Sequence, residues 1–253
     1  MKKRTSLLIA VSAAAILFIC AAGVLATKGS LLWFKQSGAS DAYCFPEYTG
    51  EETLDWKQAV EFRQIPAETL KNMSTEGLIE TCLDYPLYSA GMIFSNSTVY
   101  DGFLRTLGEF NGLQELMKRA DAPQKLLELY AKATPDKVKV DGESDALRMR
   151  YLHYIIAQDE IIDGLSKEQR EQLLDECMKK VEQYYTDFRD EFAPDPALMI
   201  AARICLKDTE RFRTLADEEL WIERFAEEGV LPLDNGDGSI EAFLDAINEY
   251  RAE

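Results

Sequence analysis

Histidine is almost missing from this chain: the 253 residues hold one, His153, in "RYLHYIIAQDEIIDG". A lone imidazole cannot supply the paired ligands of an HExxH zinc site, and neither that motif nor a GxSxG elbow occurs. No Gly-rich phosphate loop is present either. Cysteine is nearly as scarce, with Cys20 near the start and Cys44, Cys82, Cys177 and Cys205 beyond it. None stands in a CxxC pair, so a zinc or thioredoxin-like site is not indicated. Positive charge is in short supply, with 28 Lys and Arg against 45 Asp and Glu, a formal net of −17. Such a surface repels phosphate backbones and anionic lipid heads, which argues against a nucleic-acid partner. Alternating strand residues are also wanting; "VKV" at 138–140 is the one strand-like triplet.

Charge of either sign disappears altogether in one place. After Met1, Lys2, Lys3 and Arg4 the chain reads "SLLIAVSAAAILFICAAGVLA", apolar to Thr27. A basic start and an apolar run form a secretory signal, with Val24 and Ala26 as the small residues before a cut. About 20 apolar residues also just span a bilayer, so residues 7–26 would equally serve as an uncleaved signal-anchor. Lipidation at Cys20 is a third reading, weakened by Ile19 where a small residue is needed. All three place residues 27–253 outside the cytoplasm, secreted or tethered to the membrane. Trp33 and Phe34 in "SLLWF" suit the membrane interface and favour the anchor. Without the first 26 residues the balance is 25 basic against 45 acidic, a net of −20.

What fills the rest is helical periodicity. Residues 27–52 read as a stalk and 53–253 as a single helical domain, with a subdivision possible at the polar loop 134–144. A first helix is expected over 53–63, then one with Pro66 at its first position. Ser74 or Thr75 caps a third, which Pro86 ends through Tyr85. "FNG" at 110–112 reads as a break, and Asp121 as the cap of a helix beginning near Pro123. Leu147, Tyr151, Ile155 and Ile162 suggest one helix running to Gly164. Ser166 and Gln169 form a capping box opening a helix to about Phe192. Helices over 196–206, over "ADEELWIERFAEEG" to Gly229, and over Ser239–Tyr250 complete an all-α array of short antiparallel helix pairs.

Within those helices Cys82 falls beside Leu78, Ile79 and Leu83. Cys177 continues the stripe Leu174, Val181, Tyr184 and Phe188, while Cys205 follows Leu198, Ala201 and Ala202. Core positions suit free thiols acting as small hydrophobes. An extracytoplasmic setting also permits disulfides, of which Cys177–Cys205 is the best placed.

The phrases "IPAETLKNMSTEGLIETCLDYPL" and "DGFLRTLGEFNGLQELMKRADAPQKLLELY" resemble a group of exported, mainly bacterial proteins. Ile65, Pro66, Leu70, Met73, Ser74, Thr75, Leu78, Cys82, Leu83, Tyr85 and Pro86 carry the first likeness. Phe110, Asn111, Gly112, Glu115 and Leu116 carry the second, and residues 150–180 follow the group's later segment. The resemblance covers roughly 54–207 and implies an exported helical domain. It implies no activity, because none is established for the group.

The residues that could carry chemistry do not assemble in the sequence. Asp159, Glu160 and Asp163 are the carboxylates that could orient His153, but only Glu160 shares its face, two turns away. "LDNGDGSIEAFLDAINE", 233–249, is shaped like a calcium loop, yet Leu233 and Leu244 fall where Asp and a bidentate Glu belong. A Gly-rich turn with Ser239 capping the last helix accounts for it. Asp234, Asp237 and Glu241 would form at most a loose site. Paired carboxylates such as Glu218 and Glu219 are solvated faces in an acidic helical protein, not evidence of a glycosidase. No catalytic, cofactor-binding or metal residue is therefore assigned. The expectation is a non-catalytic module that binds another extracellular protein, with a carboxylate-dependent hydrolase or a weak calcium module as alternatives.

Overall fold

A computed structural model of the chain describes residues 41–50, 53–88, 98–133, 143–187, 195–229 and 237–252. The leader 1–26, most of the stalk and the 134–142 loop lie outside the described residues. Thirteen helices and no strand are found among those described, so the protein is all-α.

Most of the helices are too short to persist alone and depend on packing. The first, α1 (Trp56–Phe62), starts three residues later than its pattern suggested because Asp55 caps it in a capping box with Gln58. Pro66 sits one position before α2 (Ala67–Asn72): its ψ of 137° is extended and its carbonyl accepts from Leu70. Ser74 then caps α3 (Thr75–Leu83), its Oγ accepting from Gly77 N at 3.0 Å.

The break expected at "FNG" separates α4 (Val99–Gly108) from α5 (Asn111–Leu116). Its purpose lies 46 residues away. Asn111 Oδ1 accepts from Ile65 N at 3.0 Å and Asn111 Nδ2 donates to Ile65 O at 2.8 Å, closing both backbone groups of that residue. Gln64 Oε1 accepts from Asn111 N at 2.9 Å. Gly112 is needed beside this joint, since a Cβ there would strike the Phe110 ring and Ile65 Cδ1. The "IP" and "FNG" phrases are thus two halves of one joint.

Further on, α6 (Ala122–Lys132) follows Asp121, but Asp121 does not cap it by its side chain. The carboxylate instead accepts from Thr75 Oγ at 2.7 Å, tying α6 to α3. The long helix expected to reach Gly164 is two helices, α7 (Glu143–Ile156) and α8 (Asp159–Asp163). Gln158, with ψ 142°, opens the second, and Arg203 Nη1 donates to the freed carbonyl of Ala157 at 2.7 Å. Ser166 and Gln169 form the expected capping box before α9 (Lys167–Asp187).

At the centre is α10 (Asp195–Asp208), which packs against α7, α9 and three helices that follow it. Leu198, Met199, Ile200, Ala201, Ala202 and Ile204 are all buried, so this helix is apolar nearly all round, as a helix surrounded by others must be. The expected 216–229 helix is also divided. Thr209 caps α11 (Glu210–Glu218), and α12 (Trp221–Glu228) follows a corner at Leu220. Gly229 ends α12 in the left-handed region at φ 69°, where glycine carries no Cβ penalty. The last helix, α13 (Asp237–Ala252), starts before Ser239, which is therefore inside the helix and not its cap.

One cluster of buried apolar side chains runs from Ile65 to Tyr250 and includes residues on both sides of the 134–142 segment. Each fully buried Leu or Phe contributes roughly 1.5–3 kcal/mol. Among the described residues no helix is long and apolar enough to cross a membrane.

Candidate functional site

The histidine and three of the cysteines are inside, held by helix packing. Cys82, Cys177 and Cys205 are fully buried on α3, α9 and α10, and Cys44 is exposed. All four are free thiols, so the Cys177–Cys205 bridge is not formed. Burial pushes the Cys177 thiol up to about 12 and raises those of Cys82 and Cys205 strongly as well. At neutral pH these groups are neutral and act as small apolar side chains.

His153 occupies the meeting point of α6, α7 and α9. Its Nδ1 lies 2.8 Å from the carbonyl of Met149 one turn back, so Nδ1 bears the proton and Nε2 the lone pair. The ring stands edge-on to Tyr130 with centroids 5.2 Å apart, and Lys180 Nζ lies 4.1 Å from the centroid of that same Tyr130 ring. Burial, reinforced by the Lys180 charge, drives the imidazole down to about 3. It stays unprotonated near neutrality, but its Nε2 is sealed from solvent and from any reacting group.

The carboxylates weighed as its partners are elsewhere. Asp159 is exposed and pairs with Arg203 at 3.2 Å, Asp163 pairs with Lys207 at 2.6 Å, and Glu160 faces solvent. Of the calcium-loop residues, Asp234 lies outside the described residues, Asp237 begins α13 and Glu241 is exposed. Among the described residues no group of three or more His, Cys, Asp or Glu is placed to hold a metal.

Two ion pairs with shielded guanidinium groups escaped the sequence reading because their partners are distant in the chain. Arg148 on α7 pairs with Asp84 after α3, and desolvation, partly offset by Glu80, brings the guanidinium down to about 10. Arg170 on α9 meets Asp208 through two parallel bonds of 2.7 Å, and its third nitrogen donates to Leu165 O at 2.7 Å. Both pairs fasten helices together.

The surface offers a different kind of feature. Leu220, at the corner between α11 and α12, is 76% exposed, far more than the other exposed large apolar side chains among the described residues, Val99, Tyr48 and Phe62. Exposed Asp217, Glu218, Glu223 and Glu227 surround it in sequence, and residues 217–228 hold six acidic residues against one basic. That one cation, Arg224, is engaged with Glu228 at 2.9 Å. Trp221 anchors the corner from below, with its ring 5.3 Å from Phe243 and its Nε1 donating to Glu219 at 3.1 Å. The corner thus presents an exposed leucine within an acidic stretch of the chain.

Comparison with protein-family models, with curated proteins and with solved structures returns no match.

Proposed function

We propose that this protein is an exported, non-catalytic helical module that binds another extracellular protein. The observation that carries the proposal is the Leu220 corner. A partner that covers this leucine would remove its apolar area from water. The surrounding carboxylates favour a partner bearing Lys or Arg beside an apolar side chain, and steer its approach. The displaced titrations of His153 and Cys177 support the same reading, because general bases and nucleophiles work near ambient pH. Export rests on the basic start and apolar run of residues 1–26, and agrees with the resemblance to exported helical proteins. Secretion and membrane tethering are both compatible with it.

The test is site-specific crosslinking in the producing cells. A photoreactive residue replaces Leu220 in one strain and exposed Gln172 in another. The expected result is a discrete adduct at 220, absent at 172 and lost when Glu218 and Glu223 are changed to Lys. Equal labelling at the two positions, or robust turnover in a hydrolase substrate screen, would refute the proposal.

A further inference from the structure

His153 has a feature that neither partner binding nor simple packing requires. Its Nε2 is buried without a hydrogen-bond partner, in a junction where the charges that act on the ring, Lys180 and Arg150, are cations. An apolar residue of similar size would fill the same space without a buried lone pair, which is costly to leave unmet. The groups around it leave little room to accommodate a second proton. From α6 comes Tyr130, whose hydroxyl lies against the Cys177 thiol. From α9 come Cys177, Lys180 and Glu176; Glu176 is already engaged, 3.5 Å from Lys180 and 2.8 Å from Lys179. On α7 itself Arg150 adds positive charge and Arg148 is paired with Asp84. From α3 come Cys82, buried, and Glu80, which faces Arg148, while Glu76 is paired with Lys125. Cys205 is the buried thiol of α10. The ion pairs of this junction are thus made without His153, and the charges that act on it are of the sign its protonation would create.

We propose that His153 is an acid-operated pin, whose protonation at Nε2 parts the junction of α6, α7 and α9. Above the imidazole's ordinary range the neutral ring holds the three helices together. The direction follows from linkage: the folded value lies below the unfolded one, so the unfolded or opened chain binds the proton more readily. Stability is full above about pH 6.5 and is lost as the pH falls from there toward about 3. The removal of Lys180 weakens the device, because the cation that opposes the second proton is gone.

The experiment uses the purified chain and two variants, His153→Phe and Lys180→Met. Urea unfolding and amide hydrogen exchange are measured at pH 7, 6 and 5. Between pH 7 and pH 5 the unfolding constant of the wild type rises about 25-fold more than that of His153→Phe, as one proton bound only by the opened chain requires. Amides of α7 lose protection before those of α11 and α12, and the proton resonances of the single histidine titrate higher in folded Lys180→Met than in the folded wild type. Parallel wild-type and His153→Phe curves would overturn the proposal and assign acid loosening to carboxylates. Should His153→Phe not fold, the proton resonances of the single histidine decide: a folded wild-type imidazole that titrates at its ordinary value of about 6.5 also overturns the proposal.

Discussion

The Arg170–Asp208 pair is the sharpest place to test how this helical array is held. The guanidinium and carboxylate meet at two distances of 2.7 Å, and their side chains are only 13% and 6% exposed. Tyr250 of α13 adds its hydroxyl to the same carboxylate at 3.4 Å, so α9, α10 and α13 converge there. If Asp208 is changed to Ala, the Arg170 charge is stranded in a nearly dry site with only Leu165 O as an acceptor. Breaking one side of such a pair costs about 3–5 kcal/mol. If both members are replaced, as Arg170→Met with Asp208→Leu, the stranded charge is gone. The double variant then returns to within about 1 kcal/mol of the wild type or exceeds it. Urea unfolding followed by far-UV circular dichroism measures all three chains. A single-variant loss under about 1 kcal/mol would mean that water solvates the pair, and the reasoning about this seam would fail.

The joint between residues 65 and 111 gives a second prediction. Asn111→Ala unsatisfies both the N–H and the carbonyl of buried Ile65 and should cost about 2–3 kcal/mol by the same unfolding assay. Glycine substitutions supply a matched pair. Gly229→Ala forces a Cβ into the left-handed region at φ 69° and should destabilise by about 1–2 kcal/mol. Gly108→Ala, in open space at the end of α4, should stabilise by about 0.4–1 kcal/mol, visible as a higher Tm.

Features governed by neighbours along the chain were legible in the sequence. Ser74 and Ser166 cap because their hydroxyls reach amides three residues on, and Gly229 stops α12 because it alone tolerates its φ. The buried stripes through Cys82, Cys177 and Cys205 follow from the 3.6-residue repeat. What escaped depends on residues far apart. Tyr151, Ile155 and Ile162 keep helical spacing across the α7–α8 break, and Gln158 is a good helix former, so nothing local marks the interruption. The marker is Arg203, which binds Ala157 O from 46 residues away. Asp121 reads as a cap until Thr75, equally distant in sequence, claims its carboxylate. The Leu220 corner was hidden for another reason: "EELWIER" has acceptable helical periodicity, and only the packing of Trp221 on Phe243 shows where the chain turns.

These particulars share a cause. His153, Cys82, Cys177 and Cys205 stand at positions where helices meet, and desolvation there keeps the imidazole and the thiols neutral near neutral pH.

Thiol accessibility tests this most directly. The native protein, without reductant, is treated with iodoacetamide and the modified sites are read by mass spectrometry. Cys44 should be alkylated at the rate of a free exposed thiol, while Cys82, Cys177 and Cys205 react only as the chain unfolds, and all four react in urea. Native labelling of any of those three at the Cys44 rate would contradict the account. So would Cys177 and Cys205 resisting alkylation in urea until a reductant is added.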